Sequence, residues 1–381
     1  MARGTGGQVL FDHGPLATGS LFSNPIEIIR ADHAEEVEAA FAALDQARRK
    51  GLWLAGYASY ELGYALDERL RPLLPTERSE PLLLFGVFVA PISPPTTVTK
   101  PSQSATLSAL TPLWDFARYG EAFDRIHDMI SAGDVYQVNL TFPLTAEVIG
   151  TPLDLYQALA ARQPVSFGAF VDLGGPVLLS RSPELFFRID MAGRIETQPM
   201  KGTLARAGDA VEDAARRAWL AADPKNRAEN LMIVDLLRND LSRVAEFGSV
   251  RVPELFHVET FATVHQMTSR IEAQLRSNLS LHQIFTALFP CGSVTGAPKI
   301  RAMEIIRTLE PDARGAYCGA IGWVAPTGAM EFNVAIRTLV LPRDSTARLN
   351  VGGGIVHDST AEAEYEEALW KTRFATSLTK S

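Results

Sequence analysis

What most limits the fold of this chain is a succession of strand-like segments that run into turns rather than into helices. They are "VYQVNLTFPLTAEV" (135–148), "PVSFGAFVDL" (164–173), "PVLLSRSPELFFRI" (176–189), "GRIETQPM" (193–200), "GAYCGAIGWVA" (315–325), "MEFNVAIRTLVL" (330–341) and "ARLNVGGGIV" (347–356). Strands joined by short turns pair antiparallel, whereas parallel neighbours need a long crossover, usually a helix. The expected class is therefore α+β, with largely antiparallel β-sheets flanked by helices, and not a doubly wound arrangement. The glycine run "VGGGIV" (351–356) lacks GxGxxG spacing and so gives no dinucleotide fingerprint.

Helices punctuate this pattern. "ADHAEEVEAAFAALDQARRKG" is amphipathic and ends at Gly51, and Phe116, Tyr119, Phe123, Ile126 and Ile130 mark a second helix that stops at Gly133. A stretch rich in Pro, Ser and Thr at 91–113 is expected to be an exposed connection, dividing an N-terminal lobe (1–110) from a larger core (111–381). With 381 residues, one large, bilobal unit is expected.

Charge and composition exclude several classes. Lys and Arg number 36 against 44 Asp and Glu, a net −8, so no polyanion-binding surface and no nucleic-acid partner is expected. The longest apolar run, "PLLLFGVFVAPI", is broken by prolines and far short of a membrane span. The N-terminus lacks a signal peptide's apolar core, and Cys291 and Cys318 make no disulfide framework or metal spacing, so a cytoplasmic enzyme is expected.

Several residues could carry chemistry, each beside a plainer reading. Lys201, between Pro199 and Gly202, is a solvated loop cation or a placed amine. Glu229 shares the inward face of the helix in "NRAENLMIVDLLRNDL", while Glu364, Glu367 and Lys371 form one stripe on the last helix, capped by Ser359 or Thr360. Carboxylates on two inward faces suit Mg²⁺, although acidic first turns also satisfy helix dipoles. Glu184, beside Phe186 and Phe187, is a proton donor with a raised pKa or a surface turn residue. The loop before the helix in "FPCGSVTGAPKIRAMEII", with Ser293 and Thr295, could hold an anion or be a structural turn. Arg337 is paired in the core or clamps a carboxylate; His265 is ambiguous alone.

Taken in order, "GDVYQVNL", "SRSPELFF", "PMKGTLAR", "AENLMIVDLLRNDLSRV", "VHQMTS", "PCGSVTGAPKIRAM", "RGAYCGAIGW", "AIRTLV" and "GGGIVHDSTAEAEYEEALWK" resemble the chorismate-utilising enzyme family over about residues 115 to 378. The resemblance implies that family's fold, with two interleaved lobes. It also implies Mg²⁺ on Glu229 and Glu367, with Glu364 acting through water, bound to the ring carboxylate of chorismate. By the same resemblance Lys371 and the backbone of Gly353 and Gly354 surround that carboxylate, and Tyr317 and Arg337 hold the enolpyruvyl carboxylate. Thr295 and Gly296 match a loop that packs on the substrate, His265 a histidine near the reacting ring, and Glu184 the acid that protonates the departing C4 hydroxyl.

Two positions indicate the branch. Members that add water at C2 carry a lysine where this chain has Gln137, and a glutamine is no general base. Members that aminate C2 typically have a small residue where this chain has Lys201, whereas those that aminate C4 commonly show PIKGT, close to "PMKGT" here. The resemblance thus implies amination of chorismate at C4 through Lys201. Ammonia is expected from a glutamine amidotransferase subunit, since no cysteine–histidine glutaminase motif is present, and pyruvate elimination from another protein. The N-terminal lobe lacks an LLES-type motif, so no tryptophan inhibition is expected. An anthranilate-forming enzyme and an idle chorismate-binding scaffold subunit are the alternatives.

Overall fold

The computed structural model describes residues 6–95, 105–261, 264–343 and 346–376. Two sheets carry the architecture. The first runs edge to edge through Gly296–Ala297, Gln137–Ala146, Ala347–Ile355, Thr338–Leu341, Val177–Ser182, Phe167–Asp172, Gln8–Phe11 and Ser20–Ser23. The second runs through Met200–Ala205, Val264–Gln274, Arg194–Gln198, Leu185–Ile189, Met330–Val334, Ala320–Val324, Trp53–Ala58, Leu83–Phe88 and Glu27–Ala31. The strand pairs are antiparallel, as the turn-linked segments require.

Both sheets draw strands from either side of residue 110. Gln8–Phe11 pairs with Phe167–Asp172, and Trp53–Ala58 pairs with Ala320–Val324. Of the connection expected at 91–113, residues 96–104 lie outside the described residues. Beyond them, Thr106–Leu107 pairs with Val148–Ile149 and Thr111–Pro112 with Gln137–Ala146.

Alternation along the strands builds two layers of core. Val9, Phe11, Phe22, Val171 and Leu178 of the first sheet meet Ala55, Tyr57, Leu84, Ile321 and Trp323 of the second in one buried cluster. Their neighbours Leu10, Leu54 and Leu83 point the other way, into the larger cluster beneath the helices. Helix Val37–Arg49 packs on strands of the second sheet through Phe41 and Leu44. Helices Phe116–Ser131 and Ala361–Trp370 pack on each other and on the glycine-containing strand Ala347–Ile355. Asp115, Asp223 and Thr360 cap their helices by accepting the N–H groups of Arg118, Asn226 and Ala363.

Two segments that read as single strands are each two. "PVLLSRSPELFFRI" splits into Val177–Ser182 of the first sheet and Leu185–Ile189 of the second, with Pro183 and Glu184 at the crossing. "MEFNVAIRTLVL" splits into Met330–Val334 of the second sheet and Thr338–Leu341 of the first, with Arg337 at the crossing in a left-handed conformation, φ 50°. The two crossings lie side by side: the Arg181 N–H donates to the Arg337 carbonyl, and the Val334 N–H to the Glu184 carbonyl. The chain thereby delivers a carboxyl and a guanidinium to one place.

A buried charge ties these parts together. Arg314, 4% exposed, forms two hydrogen bonds to Glu310 (2.7 and 2.8 Å) and donates to the carbonyls of Val294 (3.0 Å) and Asn139 (2.6 Å). Its guanidinium lies 4.4 Å from the centre of the Tyr60 ring. Glu310 also accepts the Thr141 N–H, and Glu61 accepts the N–H groups of Arg314 and Gly315. Removing one partner of a buried pair strands the other. Arg314→Ala is expected to cost about 3–5 kcal/mol in urea unfolding, and Arg314→Ala with Glu310→Met less than the single change. A loss within about 0.5 kcal/mol, the usual range for surface substitutions, would remove Arg314 from this role.

Candidate active site

A cavity of about 590 Å³ opens beside the two sheet crossings. Glu184 and Arg337 line it, together with Lys201, Glu229, Tyr317, Gly353, Gly354, Glu364, Glu367 and Lys371. Ten of the fourteen residues expected from the sequence are therefore brought to one space, from two sheets and two helices.

Glu184 is 5% exposed and accepts one hydrogen bond, from the Ser293 hydroxyl at 2.7 Å. Burial pushes its carboxyl up to about 7, with Ser293, Lys201 and Arg337 opposing the rise. It is thus a proton donor near neutrality. Ser293 is committed to Glu184, and the N–H groups of Val294 and Thr295 to the carbonyls of Cys291 and Gly292. The anion site considered for this loop is therefore replaced by a hydrogen-bonded turn that supports the acid.

Lys201 sits in a bulge. Met200 pairs with Thr268 and Thr203 with Gln266, so three steps on one strand oppose two on the other. Gly202, at φ 80°, provides the left-handed residue such a bulge needs. The Lys201 amine faces the cavity without a hydrogen-bond or ion-pair partner among the described residues. Burial lowers its pKa and the Lys371 charge lowers it further, while Glu229, Glu184 and Glu367 oppose this.

The acidic residues gather on another wall. A Cβ on Gly353 would lie 2.9 Å from Glu364 Oε2, so glycine lets the last helix approach the strand. Glu364 accepts the Ser359 hydroxyl at 2.7 Å; burial raises its pKa, and the charges of Glu367 and Glu229 add to the rise. Lys371 pairs with Glu367 at 2.9 Å and donates to the Gly352 carbonyl at 2.8 Å. The Lys371 charge holds the Glu367 carboxyl below its usual value, with smaller help from Lys201 and Lys225.

These oxygens form no closed cage: among the described residues no three His, Cys, Asp or Glu side chains converge as metal ligands. Mg²⁺ asks for less, since it keeps waters and takes one or two carboxylates plus substrate oxygens. Hard oxygen donors whose charges repel one another at one wall fit that requirement.

Four expected residues stand elsewhere. Thr295 is fully buried and its hydroxyl donates to the Cys291 carbonyl (2.8 Å), and Gly296 packs against the Gln137 carbonyl, where a Cβ would collide. Both support the wall from behind. Gln137 is also fully buried, under Gly354, with neither amide atom hydrogen-bonded. His265 points away from the cavity: Nε2 contacts Asp213 Oδ1 and Nδ1 contacts the Thr260 hydroxyl, both at 3.0 Å. Alternation puts its neighbour Gln266 on the cavity wall instead. Asn139, Lys225, Asn226 and Gln266 line the cavity and were missed by the sequence reading; only Lys225, one turn before Glu229, had a spacing signal.

The raised Glu184 carboxyl has a consequence for stability. The folded state holds its proton more tightly than the unfolded chain, so stability falls as pH rises from the ordinary carboxyl value of 4.5 to about 7. Glu184→Gln is expected to remove that component, up to about 3 kcal/mol of pH-dependent difference from wild type, in urea unfolding measured from pH 5 to 8. Parallel pH profiles for the two proteins would contradict a protonated Glu184.

Comparison with known proteins bears on the family and the fold. A family model described as chorismate binding enzyme matches residues 6–377. Aminodeoxychorismate synthase component 1 of Klebsiella aerogenes is 46% identical over 277 residues, covering 71% of this chain and 61% of that protein. Anthranilate synthase component 1 of Thermus thermophilus is 42% identical over 261 residues, 68% of this chain and 56% of that protein. The matched stretch thus spans about three-fifths of the length of these curated relatives. The crystal structure of anthranilate synthase component I from Streptococcus pneumoniae superposes with a TM-score of 0.80 at 26% identity, covering 100% of this chain and 93% of that one.

Proposed function

The chain belongs to the family of chorismate-binding enzymes, and we propose that it aminates chorismate at C4, giving 4-amino-4-deoxychorismate with Lys201 as a covalent nucleophile. The observation that carries this reading is that Glu184, held by the Ser293 hydroxyl, and the unpaired Lys201 amine line one cavity, where burial raises the carboxyl to about 7 and lowers the amine. Such a pair supplies a proton donor and a nucleophile near neutral pH. The "PMKGT" segment and the aminodeoxychorismate synthases among the relatives point the same way.

In this reading Arg337 and Tyr317 receive the enolpyruvyl carboxylate. Arg337 is suited to it because its guanidinium has no hydrogen-bond or ion-pair partner among the described residues. Lys371, with the backbone of Gly353 and Gly354, lies at the ring carboxylate. Glu229 and Glu367 would hold Mg²⁺, with Glu364 acting through water, and the ion when bound neutralises that carboxylate.

Neutral Lys201 attacks C2, the ring double bonds shift, and the C4–O bond breaks as Glu184 delivers its proton, releasing water. The alkylated amine passes its extra proton to solvent. Ammonia then adds at C4, the double bonds shift back, and the C2–N bond breaks; Lys201 leaves as the amine, taking a proton. Ammonia is supplied by a glutamine amidotransferase subunit, as the "component 1" designation of relatives suggests. No helix among the described residues is long and apolar enough to cross a membrane.

Chorismate, Mg²⁺ and ammonium should give a product whose amino group NMR places on C4. Lys201→Ala should slow its formation by about 10³-fold, on the scale of removing a catalytic group, or move the amino group towards C2. An unchanged rate and product would take Lys201 out of the reaction. A wild-type product aminated at C2 would favour anthranilate-type chemistry, and no turnover a binding subunit.

A further inference from the structure

A reacting amine must be held in place, and the role of Gln266 described below rests on Lys201 being that amine. The bulge at Lys201 and Gly202 is one residue longer than the strand it faces. In a sheet, a slip by one residue turns every side chain to the opposite face. Without a lock, the strand could rejoin its ladder with the amine aimed elsewhere.

Gln266 stands opposite the bulge. Its Nε2 donates to the Gly202 carbonyl at 2.9 Å, and its Oε1 accepts the Thr203 hydroxyl at 2.7 Å. Both ends of one amide are therefore committed to the two residues that follow Lys201. Gln266 is 9% exposed, so water competes poorly for these bonds. On the other side Asn226 closes the space: a Cβ on Gly202 would lie 2.6 Å from its Oδ1. Asn226 is itself fixed, its amide donating to Asp223 at 2.7 Å.

We propose that Gln266 is the positioning residue for Lys201, locking the bulge in the register that aims the amine into the cavity. Gln266 touches no reacting atom. One bond holds the Gly202 backbone and the other the Thr203 hydroxyl, and Lys201 follows.

The test uses the full chain without substrate. Lys201 is modified with 2,4,6-trinitrobenzenesulfonate across a pH series and quantified by peptide mass spectrometry, with exposed Lys50 as the internal reference. In Gln266→Ala, Lys201 labelling at neutral pH should slow at least about fivefold and its pH midpoint should move up towards that of Lys50, because a freed bulge lets the amine reach water. With chorismate and ammonium, kcat should fall by about 10²-fold with KM within about threefold, the signature of a misplaced group rather than lost binding. Thr203→Val, which removes one of the two bonds, should show a smaller change in the same direction, and carries the test should Gln266→Ala fail to fold.

A folded variant with the wild-type labelling profile and kcat would overturn the proposal. So would a lowered unfolding temperature with an unchanged labelling profile, since that leaves Gln266 a purely structural part. The labelling requires no chorismate, so it stands or falls separately from the identity of the product.

Discussion

The site depends on the buried Arg314 guanidinium. It joins the strand Gln137–Ala146, the turn at Val294 and, through Glu310, the helix Lys299–Leu309, while Glu61 from the N-terminal lobe holds the adjoining N–H groups. Tyr317 follows three residues later, and the turn at Val294 carries Ser293 to Glu184. A buried cation with only one partner would be costly, but here Glu310 balances it and carbonyls take further donors. The same side chain thus fixes the wall on which the acid is supported.

The cavity sets its carboxyl and its amine in different surroundings. Glu184 is surrounded by buried structure and only one hydroxyl donates to it, so its neutral form is favoured. Lys201 is desolvated too, but near Glu229 and Glu367, which temper the fall in its pKa. Environment rather than residue type divides the roles of acid and base. Lys371 already pairs with Glu367 and the Gly352 carbonyl, which leaves Arg337, Lys201 and Lys225 as cavity-lining basic side chains without such partners among the described residues.

Much of this was legible in the sequence, and the gaps have physical causes. Strand alternation and turn-linked segments sufficed for antiparallel sheets flanked by helices. The splits at Glu184 and Arg337 were not legible, because β alternation looks the same on both sides of a sheet crossing; Pro183 was the one hint. His265 was expected at the reacting ring, yet the parity of its strand turns it away from the cavity and sets Gln266 on the cavity wall, and parity is set by pairing partners that local sequence does not name. The acidic stripe of Glu364 and Glu367 was visible from helical spacing, but its meeting with Glu229 required the tertiary fold. Lys201 stood out through the resemblance of its motif; the bulge that aims it came only from the register with Val264–Gln274.

The central claim is that Lys201 becomes covalently bonded to the substrate during C4 amination. Intact-protein mass spectrometry after incubation with chorismate and Mg²⁺, in the absence of ammonia, tests it most directly. The account predicts an adduct equal to chorismate less one water, mapped by peptide analysis to Lys201 and discharged when ammonium is added. An enzyme that turns over under the same conditions with ammonium, yet stays unmodified without it or carries the adduct on another residue, would contradict it.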